Sequence, residues 1–597
     1  MSLTDADRTA ADTAWDLETL LDGRSVDELL ETAASLTDAI AAYRGRLATL
    51  GGDEWVTLMR AQSDLHETLG RAGNYAALQT ATDTADPERS ALMAKVQERS
   101  TALSTRLIFF DLEWAELDDA IAEAVLADER LAFCAHHLRS ARRYRPHLLS
   151  EAEERVDTEK SQTSTQAWAR LFGELVAAID LQLPDRTEPV KLEVGLALLS
   201  HPDREVRATA AQAVTDGLAP GLRTRAFIFN TLLLDKSVED RMRSYPTWVS
   251  SRNLANEASD ASVQALVDAV AARYDIPQRW YAAKAAILGV DRLADYDRMA
   301  SVAASEAEFG WSDARQLVLD CYAGFSPRLA DVARRFFDER WIDAPVRPAK
   351  RPGAFCAYTV PSHHPYVLLN WTGKRRDVMT LAHELGHGLH AYLAREQGVF
   401  HMGTPLTLAE TASVFGETVT FGRLLADTTD PAERLALLAE SIEGAIATVF
   451  RQTAMNRFEH AVHTHRREVG ELSLDDFGRH WYDTQTAMLG DAVEVTDNYR
   501  TWWSYIPHFI NTPGYVYAYA YGQLLALSVY RRYEEQGAAF VPRYLELLAA
   551  GGSRPPEALA ELVGCDLTDP GFWDGGLAII DDQLTAALDA ARAAGRL

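Results

Sequence analysis

Residues 380–390 read Thr-Leu-Ala-His-Glu-Leu-Gly-His-Gly-Leu-His, and within them His383-Glu384-Leu385-Gly386-His387 is an instance of H-E-x-x-H. If Asp377 to about Arg395 forms one helix, His383 and His387 stand at i, i+4 and project from the same face. Two imidazoles so placed can reach a single Zn²⁺ at roughly 2.0–2.1 Å. Glu384 is turned about 100° from His383 around the helix axis, which suits an attacking water better than the ion. The arrangement predicts metal-assisted hydrolysis with Glu384 as general base. The motif alone also arises by chance, so its surroundings decide.

A hydrolytic zinc site needs three protein ligands and one open position. His390 lies one turn beyond His387 and would have to reach back about 4.5 Å along the helix. The metzincin spacing, with a histidine six residues after the second ligand, finds Leu393 instead. Downstream, Thr404-Pro-Leu-Thr-Leu-Ala-Glu-Thr-Ala-Ser-Val-Phe-Gly-Glu417 reads as the start of a helix over about 405–425, opened by Thr404 with Pro405 in first position. Glu410 and Glu417 are two turns apart along one face, and Ala409, Ala412, Ser413 and Gly416 are small enough to let this helix approach Gly386. A glutamate from here completes a His₂Glu set. Glu410 also fits a capping box with Thr407, since Thr-x-x-Glu is the box spacing.

A late block carries His508 and then tyrosines at every second position, Tyr515, Tyr517, Tyr519 and Tyr521. As a strand all four share one face; as a helix Tyr515 pairs with Tyr519, and Tyr517 with Tyr521. The block reads either as an aromatic core ladder or as hydroxyl and imidazole donors to a carbonyl that becomes an oxyanion. The remaining histidine groups read as surface. His136-His137 suits an exposed helix, His363 and His364 a loop, and His460, His463 and His465 a solvated helix face flanked by arginines.

The elements that must position these groups are mostly helices. From Trp15 to about Ala178 the apolar period is helical almost throughout. Asp180–Pro189, with two prolines, breaks that text and gives the expected boundary between an N-terminal helical domain (1–188) and a catalytic domain (189–597). Ser200 is a candidate cap for the next helix, and helices continue to about Asp343. Arg351–Val360 and Tyr366–Trp371 read as short strands just before the motif helix, where an edge strand could pair with an extended peptide. Asp377 is positioned to cap the motif helix, whose Val378, Leu381, Leu385, Leu389 and Tyr392 form an apolar stripe away from the histidines. The fold class is mainly α, with a small β-sheet beside the motif helix.

Composition narrows the partners. A formal charge of −28 over 597 residues argues against nucleic acid and anionic membrane. The four cysteines are far apart and form no C-x-x-C pair, the N-terminus is acidic without an apolar h-region, and no run approaches the ~18 apolar residues of a membrane span. The expected setting is cytoplasmic.

T-L-A-H-E-L-G-H-G-L-H followed by E-T-A-S-V-F-G-E resembles the signature pair of the thimet-oligopeptidase family, in its oligoendopeptidase F branch. Trp15-Asp-Leu, Gly353-Ala-Phe-Cys356, Leu368-Leu-Asn370 with Gly373 and Asp377-Val378, and His508-Phe with Tyr515-Val-Tyr517-Ala-Tyr519-Ala520 extend the resemblance in order along the chain. It implies a gluzincin-type endopeptidase with one Zn²⁺ per chain and a deep channel admitting only short oligopeptides. It implies Glu410 as third ligand beside His383 and His387, and Glu417 orienting an imidazole N–H. It places His508 and tyrosines of the late block, Tyr515 and Tyr519 first among them, at the active site; the interval from His508 to Tyr515 is one residue longer than the branch pattern. The competing readings are a related zinc carboxypeptidase or dipeptidyl carboxypeptidase, and a catalytically silent peptide binder. Glu384, intact between two ligands, argues against the second.

Overall fold

The computed structural model describes residues 4–184, 186–302, 308–569 and 571–597. Its chain forms two compact units built from interleaved ranges, Met1–Arg145 with Glu306–Leu424 and Val529–Asp566, and Pro146–Ser305 with Leu425–Ser528 and Leu567–Leu597. Both are mainly helical, and among the described residues no helix is long and apolar enough to cross a membrane.

The first unit begins with Val26–Ala41, Gly52–Thr82 and Pro87–Thr105. Ser25 and Glu28 close a capping box that fixes where the first of these starts, and Leu29, Leu30, Ala33 and Ile40 form its buried face. Trp55 packs edge-on against Phe110 and Trp114 at the centre of the neighbouring core. A three-stranded sheet follows, with Tyr366–Trp371 in the middle, Ile342–Pro345 parallel on one side and Phe355–Ala357 antiparallel on the other. Ile342–Pro345 corrects the expectation of helix to Asp343. All four of its residues are buried, so it lacks the alternation by which a half-exposed strand is recognised. Its Asp343 carboxylate is neutralised by Lys350 at 2.6 Å and Arg347 at 2.5 Å.

The sheet leads into the motif helix, Arg375–Ala394. Asp377 is its third residue rather than its cap, and its carboxylate accepts from the Thr372 and Lys374 amides ahead of the helix. Val378, Leu381, Leu385 and Leu389 are buried as the stripe requires, while Tyr392 is half-buried between the guanidinium groups of Arg335 and Arg395. The second helix, Leu406–Asp427, crosses the first at Gly386. A Cβ on Gly386 would stand 2.6 Å from Ser413 Cα and 2.7 Å from the Ala412 carbonyl carbon, so the helices meet backbone to backbone. Tyr322 lies at the same crossing and donates to the Ala382 carbonyl at 3.0 Å.

In the second unit Leu222–Met242, Gln452–Glu468 and Leu474–Leu489 pack around an aromatic core in which Phe229 stacks on Phe477 and Phe509. The helix expected after Ser200 begins at Arg204, where Asp203 accepts from the Glu205 amide; Ser200 closes the preceding turn and donates to the Ala197 carbonyl. Asp180–Leu181 pairs with Val190–Lys191, so the two-proline segment is the loop of a small hairpin in which Asp185 lies outside the described residues. The expected division at residue 188 therefore falls inside this unit.

The crossing yields a test. Gly386→Ala forces the two helices apart and destabilises the first unit by roughly 1–3 kcal/mol. Urea unfolding followed by tryptophan fluorescence should show a lowered midpoint; an unchanged midpoint would mean that the helices can part without cost.

Candidate metal centre

The crossing brings together side chains from two elements. His383 Nε2 lies 3.4 Å and His387 Nε2 3.5 Å from the same oxygen, Oε2 of Glu410, and the three ligand atoms all fall within 4.8 Å of one another. Atoms bound roughly 2.0–2.2 Å from one ion at tetrahedral angles stand roughly 3.3–3.6 Å apart. The separations of 3.4 and 3.5 Å match those of ligands around a shared ion and are long for direct hydrogen bonds. The side chains of His383, His387 and Glu410 are 28%, 15% and 34% exposed, so the group faces open space and leaves room for a further ligand. Two imidazoles and a carboxylate fit a zinc ion.

Neighbouring groups orient the ligands. Glu417 Oε2 accepts from His383 Nδ1 at 3.2 Å, and in the neutral ring this would leave Nε2 free to bind a metal ion. Ser413 Oγ donates to Glu410 Oε2 at 2.6 Å, and His387 bonds the Ala409 backbone. Burial disfavours the His383 cation, yet the Glu417 hydrogen bond and the charges of Glu410 and Glu417 raise its pKa to about 9. Burial likewise pushes Glu410 up, but the two imidazoles outweigh it and hold the carboxyl below its ordinary range. The pocket is thus built to attract positive charge. His387, deeper and without a second carboxylate, is pushed down by burial.

Glu384, one residue from the first ligand, is buried, and burial lifts its carboxyl to about 7 against the opposing pull of His383 and with the help of Glu410. A base near neutrality is matched to proton transfer at neutral pH. Cys356 and Tyr358, on and just after the Phe355–Ala357 strand, lie within its field; burial pushes both hydrogens' pKa values up, and the Tyr358 hydroxyl bonds Thr404 at the mouth of the second helix. Sequence reasoning missed Tyr358 and the part of Ser413. For Ser413 the signal was present, one turn after Glu410 on its own helix.

His508, Tyr515 and Tyr519 cluster within the second unit. His508 Nε2 lies 3.3 Å from the Tyr519 hydroxyl, the Tyr515 ring is parallel to His508 at 6.2 Å, and it meets Tyr519 edge-on at 5.1 Å. The helix there runs from Tyr517 to Gln536, and the ring contacts follow the helical pairing, Tyr515 with Tyr519 and Tyr517 with Tyr521. Tyr517 and Tyr521 are fully buried and bonded to Asn256 and Ser262, which makes them core.

Of the other histidines, His136 and His463 are buried against expectation, His137, His363, His364 and His465 are part-covered, and His460 is exposed as expected. His136 is buried near His401, and His137 stacks on Phe400. His364 stacks on Trp341 at 4.1 Å, and His363 pairs with Asp22 at 3.2 Å. His463 is buried against Trp248, whose indole N–H donates to His460, and His465 shares a 3.2 Å contact with His480. Phe400, Trp341 and Trp248 stack on His137, His364 and His463. His390 is buried outside the ligand group.

The family model described as Peptidase family M3 matches residues 324–579, and that described as Oligopeptidase F matches residues 113–180. Oligopeptidase PepF of Bacillus subtilis is 25% identical over 591 residues, 98% of this chain and 88% of that one. Group B oligopeptidase PepB of Streptococcus agalactiae is 26% identical over 581 residues, 96% of each chain. Oligoendopeptidase-F from Enterococcus faecium has the same fold, with a TM-score of 0.72 at 21% identity over 95% of this chain and 98% of that one. A Chlamydophila abortus crystal structure reaches 0.88 at 20% identity over 99% and 100%.

The carboxylate behind His383 is open to test. Glu417→Gln should keep the fold and weaken metal binding about 10–100-fold in a chelator competition. Affinity within twofold of the parent would remove Glu417 from the ligand-orienting role.

Proposed function

The chain belongs to peptidase family M3, and from that premise we propose that it is a zinc-dependent endopeptidase cutting internal bonds of short oligopeptides, with His383, His387 and Glu410 holding the metal. The observation that carries the metal assignment is the pair of separations from Glu410 Oε2 to the two imidazole nitrogens. A zinc ion bound there supplies Lewis acidity, polarising the scissile carbonyl and easing deprotonation of water.

The remaining steps belong to the chain's own residues. Among the described residues Phe355–Ala357 pairs with Tyr366–Trp371 on one side only, so its other edge can pair with an extended peptide beside Glu384. Glu384 takes the proton of the attacking water and passes it to the leaving amine. Glu417 holds His383 in the tautomer that presents Nε2. The part proposed for His508, Tyr515 and Tyr519, donation to the substrate carbonyl as charge develops, is supported by the family resemblance and by their mutual clustering. Burial holds His508 below the usual imidazole range, which keeps it neutral. Among the described residues no disulfide joins the cysteines, in keeping with a cytoplasmic setting.

A terminally blocked decapeptide, followed by mass spectrometry, tests the activity. Internal cleavage that a chelator abolishes and zinc restores is expected; trimming of unblocked peptides alone would make the enzyme an exopeptidase. Glu384→Gln should retain the metal and lose about 10²–10⁴-fold in kcat. Near-parental turnover by the metal-loaded variant would take Glu384 out of the mechanism.

A further inference from the structure

Glu459 is a carboxyl that the chemistry above does not use. It sits on Gln452–Glu468 in the second unit with no exposed surface. Its Oε1 accepts from the Gly514 amide at 2.8 Å, and its Oε2 meets no hydrogen-bond partner among the described residues. A buried carboxyl with half of its acceptors unmet is costly, and a leucine of similar volume would suit the position better if packing were all that mattered.

What Glu459 holds is the turn between His508 and Tyr519. His508–Asn511 is a single helical turn, closed by the Thr512 amide donating to the His508 carbonyl at 3.0 Å. The chain reverses through Pro513 and Gly514, and the Tyr515 amide donates back to the Thr512 carbonyl at 3.1 Å. Gly514 has φ +73°, the left-handed region, and a Cβ there would press on Val249 Cγ2 at 3.2 Å and the Trp248 ring at 3.4 Å. Its amide points inward, and the Glu459 carboxyl is the group that receives it. From the other side Arg252 Nε donates to the Pro513 carbonyl at 3.4 Å. Tyr515 leaves this turn directly, so the turn sets where its ring lies against His508 and Tyr519.

We propose that Glu459 is a positioning residue for the hydrolytic reaction: by receiving the Gly514 amide it fixes the Thr512–Gly514 turn, and with it the placement of Tyr515 against His508. The inference rests on the reading that His508 and Tyr515 act on the substrate carbonyl. Glu459 itself touches neither ring and is not a catalytic residue.

Two substitutions separate its acceptor from its bulk. Burial pushes the Glu459 carboxyl up to about 8, so glutamine is a close mimic of its neutral form and keeps the Oε1 acceptor. Leucine keeps the volume and removes the acceptor. The full chain, metal-loaded, is assayed on a blocked peptide, with hydrogen–deuterium exchange of residues 509–516 as a readout independent of turnover. Glu459→Leu should speed exchange in that segment and lower kcat about tenfold or more with KM within twofold, while Glu459→Gln stays near the parent on every measure. Unchanged exchange in Glu459→Leu overturns the inference, as does unchanged kcat when Tyr515→Phe and His508→Ala lose activity. If those two variants keep full activity, the reading on which the inference rests fails instead, and the positioning role falls with it. If Glu459→Leu does not fold, Gly514→Ala distorts the same turn with Glu459 in place. Loss of kcat with faster exchange there supports the inference, and parental behaviour overturns it.

Discussion

The candidate metal centre depends on one steric condition, the contact of two helix backbones at Gly386. His383 and His387 are fixed relative to each other by their own helix, because i, i+4 residues share a face. The third ligand comes from a different helix, and a glutamate is too short to bridge an ordinary interaxial distance of roughly 8–10 Å and still place one oxygen between two imidazoles. With no side chain at Gly386, Ala412 and Ser413 come into backbone contact and Glu410 arrives at the imidazoles. The same contact puts Ser413 on the Glu410 carboxylate and Glu417, two turns on, behind His383. Gly416 continues the seam, where a Cβ would strike the Tyr322 hydroxyl that is bonded to the Ala382 carbonyl.

Electrostatics follow from that packing. Three carboxylates, Glu384, Glu410 and Glu417, act on His383, which is why its cation is favoured in spite of burial. A pocket that stabilises an imidazolium also stabilises a divalent cation in the same place, and the ion takes over the neutralising role when imidazole gives up its proton. Glu410 and Glu384 are pushed in opposite directions by their surroundings. Glu410 is held ionised by the imidazoles it faces, whereas Glu384 is turned into the protein and lifted toward neutrality by burial. The proposed ligand and the proposed base thus differ because Glu410 faces both imidazoles, whereas for Glu384 desolvation outweighs the pull of His383.

Local pattern was legible in the sequence, and contacts distant in sequence were not. The motif helix could be read because its ligands and its apolar stripe both repeat at the helical period, and the packing of its partner could be read because Ala409, Ala412, Ser413 and Gly416 leave no bulk at the crossing. Ile342–Pro345 was lost because a strand buried on both faces shows no alternation. Tyr515 to Tyr521 reads as strand or helix with equal ease, and only the partners of Tyr517 and Tyr521, Asn256 and Ser262, reveal which tyrosines turn inward. The covering of His137 and His463 was missed for the same reason. Phe400 covers His137 and Trp248 covers His463 from more than two hundred residues away. The interleaved ranges of the two units are likewise written in contacts that no single stretch of sequence contains.

Each cluster of functional side chains is completed within its own unit. The proposed metal ligands, Glu384, Glu417 and the Phe355–Ala357 edge belong to the first, and His508, Tyr515, Tyr519 and Glu459 to the second. In the first, Gly386 lets backbone meet backbone; in the second, Gly514 turns its amide toward a buried acid. Glycine serves both places for different reasons, absence of bulk in one and access to positive φ in the other. The buried carboxyls are also comparable. Glu384 and Glu459 are each raised by desolvation, to about 7 and about 8, and each is retained where an apolar residue would pack at lower cost. For Glu384 the proposed exchange of a proton would account for a carboxyl at this place. Glu459 is fully buried, so its role has to be sought in the one hydrogen bond it makes among the described residues, to the turn that carries Tyr515.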